Sequence, residues 1–202
     1  MDKTSKDAKH KAAMQKQKAS VDASIKAADT ERGVALLLTG DGKGKSSSAF
    51  GMVMRALGYG QKVGVIQFIK GEQLSGEEIY LKEHCPQVTF YQMGTGFTWD
   101  TQDRSADIAA AQRTWAVARP LLQDASFDLV VLDELTYMIA FKYLDEAEII
   151  AAIRDRPEGQ SVVVTGRGGG KALQEVMDTV SEVREIKHAY RAGIKARKGV
   201  DY

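Results

Sequence analysis

Between Gly40 and Ser46 the chain reads Gly-Asp-Gly-Lys-Gly-Lys-Ser, which places flexible backbone, ammonium groups and a hydroxyl in one short stretch. Glycines let successive backbone N–H groups curl around anionic oxygens, and lysines neutralise the charge. The apolar run from Val34 to Leu38 enters this turn, and a helix-compatible segment from Ser47 to Leu57 leaves it. Strand, glycine loop and helix in that order are what a phosphate-binding loop requires, because the helix N-terminus adds partial positive charge. The candidate nucleotide-binding residues are therefore Thr39, Gly40, Asp41, Gly42, Lys43, Gly44, Lys45, Ser46 and Ser47. Lys45 is expected to reach a phosphate, and Ser46 a magnesium ion carried by the nucleotide. The spacing is short: three residues separate Gly40 from Gly44, and Thr39 stands where the first glycine of the usual pattern belongs. A shortened loop is tighter, and Lys43 at its tip adds a second cation.

Three further stretches carry chemistry. Leu129 to Leu135 reads as a buried strand ending in Asp133 and Glu134, the acidic partner that a phosphate loop needs to hold magnesium directly or through water. Either acid could be the ligand. Thr165 to Gly170 ends another strand, and its glycines clear space for Arg167 to direct its guanidinium at a phosphate. The stretch from Met93 to Asp103 sets Phe97 and Trp99 beside Gly94 and Gly96. Taken alone, those aromatics read more readily as anchors into the core than as a platform for a flat ligand.

The elements that must position these groups follow from hydrophobic patterning. Near-continuous Val/Ile/Leu runs at 63–69, 88–93, 127–133 and 161–165, with a last strand at 180–186, read as strands buried on both faces. The segments 75–84, 103–123, 145–155 and 171–178 carry helical spacing. Asp103 is placed to cap the second of these, and Pro120 should end or bend it near its last turn. The expected fold is α/β, an open and mostly parallel sheet with helices on both faces and ligands at the carboxyl ends of the strands.

Composition bounds the rest. The 202 residues suit one domain with an appended arm, and a net charge of +1 gives no argument for a nucleic-acid partner. The lone cysteine, Cys85, rules out an intrachain disulfide, fits a reducing cytoplasm and reads as a structural thiol at a helix end. No run approaches the roughly 18 apolar residues of a membrane span. Residues 1–32 are rich in Lys, Ala and Gln and nearly devoid of large apolar side chains. They are helix-prone but unable to bury a face. The expectation is a flexible arm over 1–20, a domain over 21–202, and a segment at 21–32 that could order over a ligand.

With these pieces placed, the chain resembles the P-loop ATP:corrinoid adenosyltransferases over about residues 25–202. The resemblance rests on Thr39 to Lys45, Val65 to Gly71, Thr95 to Trp99, Val131 to Tyr137, Thr165 to Gly168, Val183 to Tyr190 and Gly199 to Tyr202. Two departures stand out: Ser46-Ser47 replaces a commoner Thr-Thr, and Asp41 stands where Asn is frequent. The resemblance implies a P-loop NTPase sheet of the RecA-like type and attack by a cobalt(I) corrinoid on the ribose 5′-carbon of ATP, with triphosphate leaving. It implies ATP bound in reverse relative to ordinary P-loop enzymes, so that the short loop cradles the terminal phosphate. Phe97 and Trp99 then acquire a role, displacing the lower axial ligand of the cobalt(II) state to ease its reduction. A reductase as electron donor and a homodimer complete the implied picture. A kinase or ATPase passing on the terminal phosphoryl group would use the loop, Asp133 and Glu134 equally well, but leaves the Phe97–Trp99 loop unexplained.

Overall fold

A computed structural model of the protein describes residues 3–69, 74–94 and 103–202. The chain divides into two compact units, one ending at Glu31 and the other beginning at Arg32. The first is a single helix, α1 (Lys3–Ala27), whose Lys18 and Asp22 pair one turn apart. Its sequence presents no apolar stripe, as its lysine-rich composition dictates.

The second unit is built on six strands: β1 (Ala35–Thr39), β2 (Val63–Gln67), β3 (Thr89–Gln92), β4 (Leu129–Asp133), β5 (Ser161–Thr165) and β6 (Thr179–Glu182). They lie in the order β3-β2-β4-β5-β1-β6, and every pairing is parallel. Because side chains alternate across a strand, the same runs feed two cores. Ile66, Val130, Leu132, Val162 and Val164 pack on one face; Val63, Val65, Leu129, Val131 and Val163 pack on the other. Helices α2 (Lys45–Gly58) and α3 (Gly76–His84) cover the second face. The first is covered by α4 (Arg104–Gln123), α5 (Leu135–Ala140), α6 (Glu146–Arg154) and α7 (Gly170–Glu175). Burial from both sides is why β1, β2, β4 and β5 read as apolar runs. Strand β3 is at most half-buried, and the last strand, β6, expected to be buried on both faces, is instead exposed along its length at the sheet edge.

The helix starts follow local chemistry. Ser75, Asp103 and Asp145 cap α3, α4 and α6, each side chain accepting from backbone N–H groups of the first turn. Cys85 sits at the end of α3, buried among apolar neighbours. Helix α4 runs three residues past Pro120, which lies in its final turn and disturbs little. Two expectations are corrected. The last strand covers Thr179–Glu182 rather than 180–186, because from Val183 the backbone leaves the sheet edge to bond the glycine-rich loop after β1. Helix α5 was not foreseen: its six residues are too few for a period, and it starts without a capping side chain.

Candidate nucleotide site

The carboxyl ends of β1, β2, β4 and β5 open on a cleft of about 800 Å³, well within the usual range for a small-molecule site. Asp41, Gly42, Lys43, Gly44, Lys45, Ser46 and Ser47 line it, as do Asp133, Glu134 and Arg167, so residues far apart in sequence meet at one place. Thr39 and Gly40 shape the loop itself. Gly40 takes φ 101°, and a Cβ there would run into the Val183 carbonyl oxygen. Only glycine allows that approach.

Segment 183–185 clamps the loop. The Val183 N–H donates to the Thr39 carbonyl and the Gly42 N–H donates to the Val183 carbonyl, both at 2.8 Å. The Glu185 N–H donates to Asp41 Oδ1 at 3.0 Å, and that bond holds the Asp41 carboxyl below its ordinary value. The unusual Asp41 therefore braces the loop. Lys43, at the tip, pairs with Asp201 Oδ1 at 3.0 Å.

Lys45, 6% exposed, opens α2 and folds back to donate from Nζ to the Gly42 carbonyl at 2.8 Å. Desolvation pulls its pKa down, opposed by the nearby Glu134. Ser46 and Ser47 complete the first turn of α2 at the cleft wall.

The acidic pair divides its work. Asp133, 2% exposed, is satisfied at both oxygens: Thr165 Oγ1 donates to Oδ1 at 2.6 Å and Gln67 Nε2 donates to Oδ2 at 3.0 Å. Glu134 is the opposite. Its backbone is left-handed, φ 59°, an unfavourable conformation for a residue with a side chain. Its N–H donates to Thr165 Oγ1 at 2.9 Å, while among the described residues its buried Oε2 has no partner. Desolvation first, then the charge of Asp133, raises the Glu134 carboxyl to about 7, against the pull of Lys45 and Arg167. An unpartnered buried carboxylate oxygen on a strained backbone at the cleft wall makes Glu134 a candidate to bind a ligand.

Arg167 reaches the cleft from a loop pinned on both sides. Thr39 Oγ1 donates to the Gly168 carbonyl at 2.6 Å, and Thr136 Oγ1 to the Arg167 carbonyl at 3.1 Å. Gly166, at φ 139°, leaves room for the Thr136 hydroxyl that a Cβ would strike. Phe97 and Trp99 lie outside the described residues.

Among the described residues no three His, Cys, Asp or Glu gather into a group that would hold a metal unaided. Ser46, Asp133 and Glu134 do share the cleft. One hydroxyl and two carboxylates suit a magnesium ion that keeps waters and takes phosphate oxygens, and the vacant Oε2 of Glu134 fits that need. Sequence reasoning missed Gln67, Thr165 and the wall made by His188, Val200, Asp201 and Tyr202. For the first two there was a signal: each is a polar residue at the carboxyl end of a buried apolar run.

Residues 31–202 match the family described as ATP:corrinoid adenosyltransferase BtuR/CobO/CobP. A corrinoid adenosyltransferase of Pseudomonas aeruginosa is 52% identical over 98% of this chain and 97% of its own length. That of Escherichia coli strain K12 is 48% identical over 97% and 99% respectively. One from a Sinorhizobium species is 40% identical over 97% and 92%.

Proposed function

The chain belongs to the ATP:corrinoid adenosyltransferase family, and we propose that the cleft at the carboxyl ends of its strands is where ATP is held for that reaction. The protein transfers the 5′-deoxyadenosyl group of ATP to the cobalt(I) of a corrinoid, in the making or salvage of adenosylcobalamin. The cobalt(I) electron pair forms the cobalt–carbon bond, the bond from C5′ to the phosphate oxygen breaks, and triphosphate leaves with its electrons. Cobalt becomes formally trivalent, so no external oxidant is required. The attacking group belongs to the substrate, and the protein needs no nucleophile of its own.

What this chain must supply is position and charge. Lys45 and Arg167 face the triphosphate, and Lys43 exchanges Asp201 for phosphate oxygen. The N–H groups of the loop and of the first turn of α2 hold the terminal phosphate, in the reversed orientation the family resemblance implies. Ser46, Asp133 and Glu134 would hold magnesium, with Glu134 the better direct ligand because both Asp133 oxygens are already engaged. When bound, magnesium would neutralise charge on the departing triphosphate. Phe97 and Trp99 are assigned the displacement of the lower axial ligand before reduction. A reductase as electron donor, a homodimer and a cytoplasmic location complete the proposal.

The observation that carries the site assignment is Glu134, strained and unsatisfied beside Lys45 and the phosphate loop. Phosphorus NMR tests the reaction: with chemically prepared cobalt(I) corrinoid, intact triphosphate should appear in step with adenosylcorrinoid. ADP and a phosphorylated acceptor would replace this reading with a kinase.

A further inference from the structure

One buried side chain in the cleft wall carries a hydrogen-bonding atom that the mechanism above leaves unused. Gln67 ends β2 in register with Asp133 of β4, and it is only 5% exposed. The orientation of its amide is dictated by its neighbours. A carboxylate oxygen only accepts, so the atom 3.0 Å from Asp133 Oδ2 is the amide nitrogen. The other Asp133 oxygen takes the Thr165 hydroxyl, which itself accepts the Glu134 N–H. This chain of donors runs one way and ends on Asp133. Among the described residues Gln67 Oε1 is left buried without a partner, as is Glu134 Oε2 on the same wall.

A buried acceptor without a donor is destabilising, and two of them flanking a satisfied Asp133 on the cleft wall suit a donor that a ligand in the cleft would bring. Triphosphate brings none, since its oxygens only accept. A hydrated magnesium ion brings several, because it sheds its waters reluctantly and polarises those it keeps. Resting on the nucleotide reading of the cleft, we propose that Gln67 is a positioning residue for the metal. Its Oε1 accepts a hydrogen bond from a water coordinated to the magnesium of bound ATP, while its Nε2 holds Asp133 in place. The ligand recognised is thus a hydrated divalent cation.

Calorimetric titration of ATP into the full-length protein, with magnesium and then with chelator, tests this. Gln67→Met should bind magnesium–ATP about threefold to tenfold more weakly than the parent, the range expected for one hydrogen bond. It should need correspondingly more magnesium for half-saturation, yet bind metal-free ATP as the parent does. Gln67→Glu loses the donor to Asp133 but keeps an oxygen acceptor and adds a negative charge that attracts the cation, so its magnesium requirement should not rise. Equal impairment of both variants would mean that Gln67 merely props Asp133, and would overturn the proposal. So would a Gln67→Met penalty that persists without metal, or no penalty at all. If Gln67→Met does not fold, the Gln67→Glu magnesium titration decides alone, and a raised requirement overturns the proposal. A parent that binds no ATP under either condition removes the nucleotide reading first, and this inference falls with it.

Discussion

The two ends of the central sheet are built to opposite rules. At the amino end polar groups are paired. Asp178 accepts from both Arg32 guanidinium nitrogens and from the Ala35 N–H, and it lies 3.9 Å from Arg156. The Arg32 hydrogen bond and then the Ala35 N–H hold its carboxyl down at about 2. Gln160, 1% exposed, donates to the carbonyls of Leu121, Asp124 and Phe127, tying α4 and the turn after it to β5. Its one unpartnered atom, Oε1, is sealed in the interior and faces no candidate ligand. At the carboxyl end Asp133, Asp41 and Lys43 are paired as well, but beside them pairing is withheld. Glu134 is strained, desolvated and short of a partner, Lys45 is turned onto its own loop, and Gln67 keeps a bare acceptor. One end closes the fold, and the other keeps unsatisfied groups at the wall of the cleft. Such a division is expected where function competes with stability.

The comparison breaks most visibly at Lys45. Lys45→Ala should lower turnover by at least about a hundredfold, through loss of charge-assisted phosphate binding and of stabilisation in the transition state. Its unfolding midpoint should move little, because a desolvated ammonium is removed along with its hydrogen bond. Near-parent rates at saturating ATP would remove Lys45 from the site.

A smaller loss is expected for the double replacement Phe97→Ala, Trp99→Ala, and its size should depend on the source of electrons. With a mild reductant and cobalt(II) corrinoid, activity should fall at least about tenfold, since apolar bulk is what excludes an axial donor. With saturating, chemically prepared cobalt(I) corrinoid the loss should be much less. Equal losses in both assays would end the ligand-displacement role.

The amino end should respond in the reverse sense. Asp178→Asn should cost about 1–2 kcal/mol of stability while leaving turnover per folded molecule unchanged. The folded-state pKa of Asp178 lies below its unfolded value. Its contribution is therefore fully present above about pH 4 and is lost as pH falls toward 2, so the variant should show a flatter acid limb in urea titrations. A loss of turnover at full folding would contradict the division between the two ends.

Legibility in the sequence followed the same division. Strands buried on both faces announced themselves as apolar runs, and one helix start was legible through its capping side chain, Asp103. The caps at Ser75 and Asp145 were not read, their helices being placed by apolar spacing alone. The phosphate loop, Asp133, Glu134 and Arg167 were legible because glycine-rich turns and acids at the ends of buried strands are local patterns. The division of labour between Asp133 and Glu134 was not, because it depends on Gln67 and Thr165 arriving from neighbouring strands. The bracing of Asp41 by Glu185 and the pairing of Lys43 with Asp201 were equally hidden. Each joins residues well over a hundred positions apart, and no local periodicity encodes such a pairing.

The most direct test of the account is the stability of Glu134→Gln, measured by urea unfolding at pH 8 with and without magnesium–ATP. The folded-state pKa of Glu134, about 7, lies above its ordinary 4.5. The neutral form therefore favours folding below about pH 4.5, and that advantage is lost as pH rises through 7. At pH 8 the parent carries a desolvated charge that glutamine lacks. The account predicts a variant more stable than the parent by on the order of 1–2 kcal/mol without ligand, an advantage that shrinks as pH is lowered. With magnesium–ATP the order should reverse, because the parent gains a ligand for its empty oxygen and the variant does not. A variant less stable than the parent at pH 8 without ligand, or one that gains as much from magnesium–ATP, would contradict the claim that Glu134 is held unsatisfied for the nucleotide's metal.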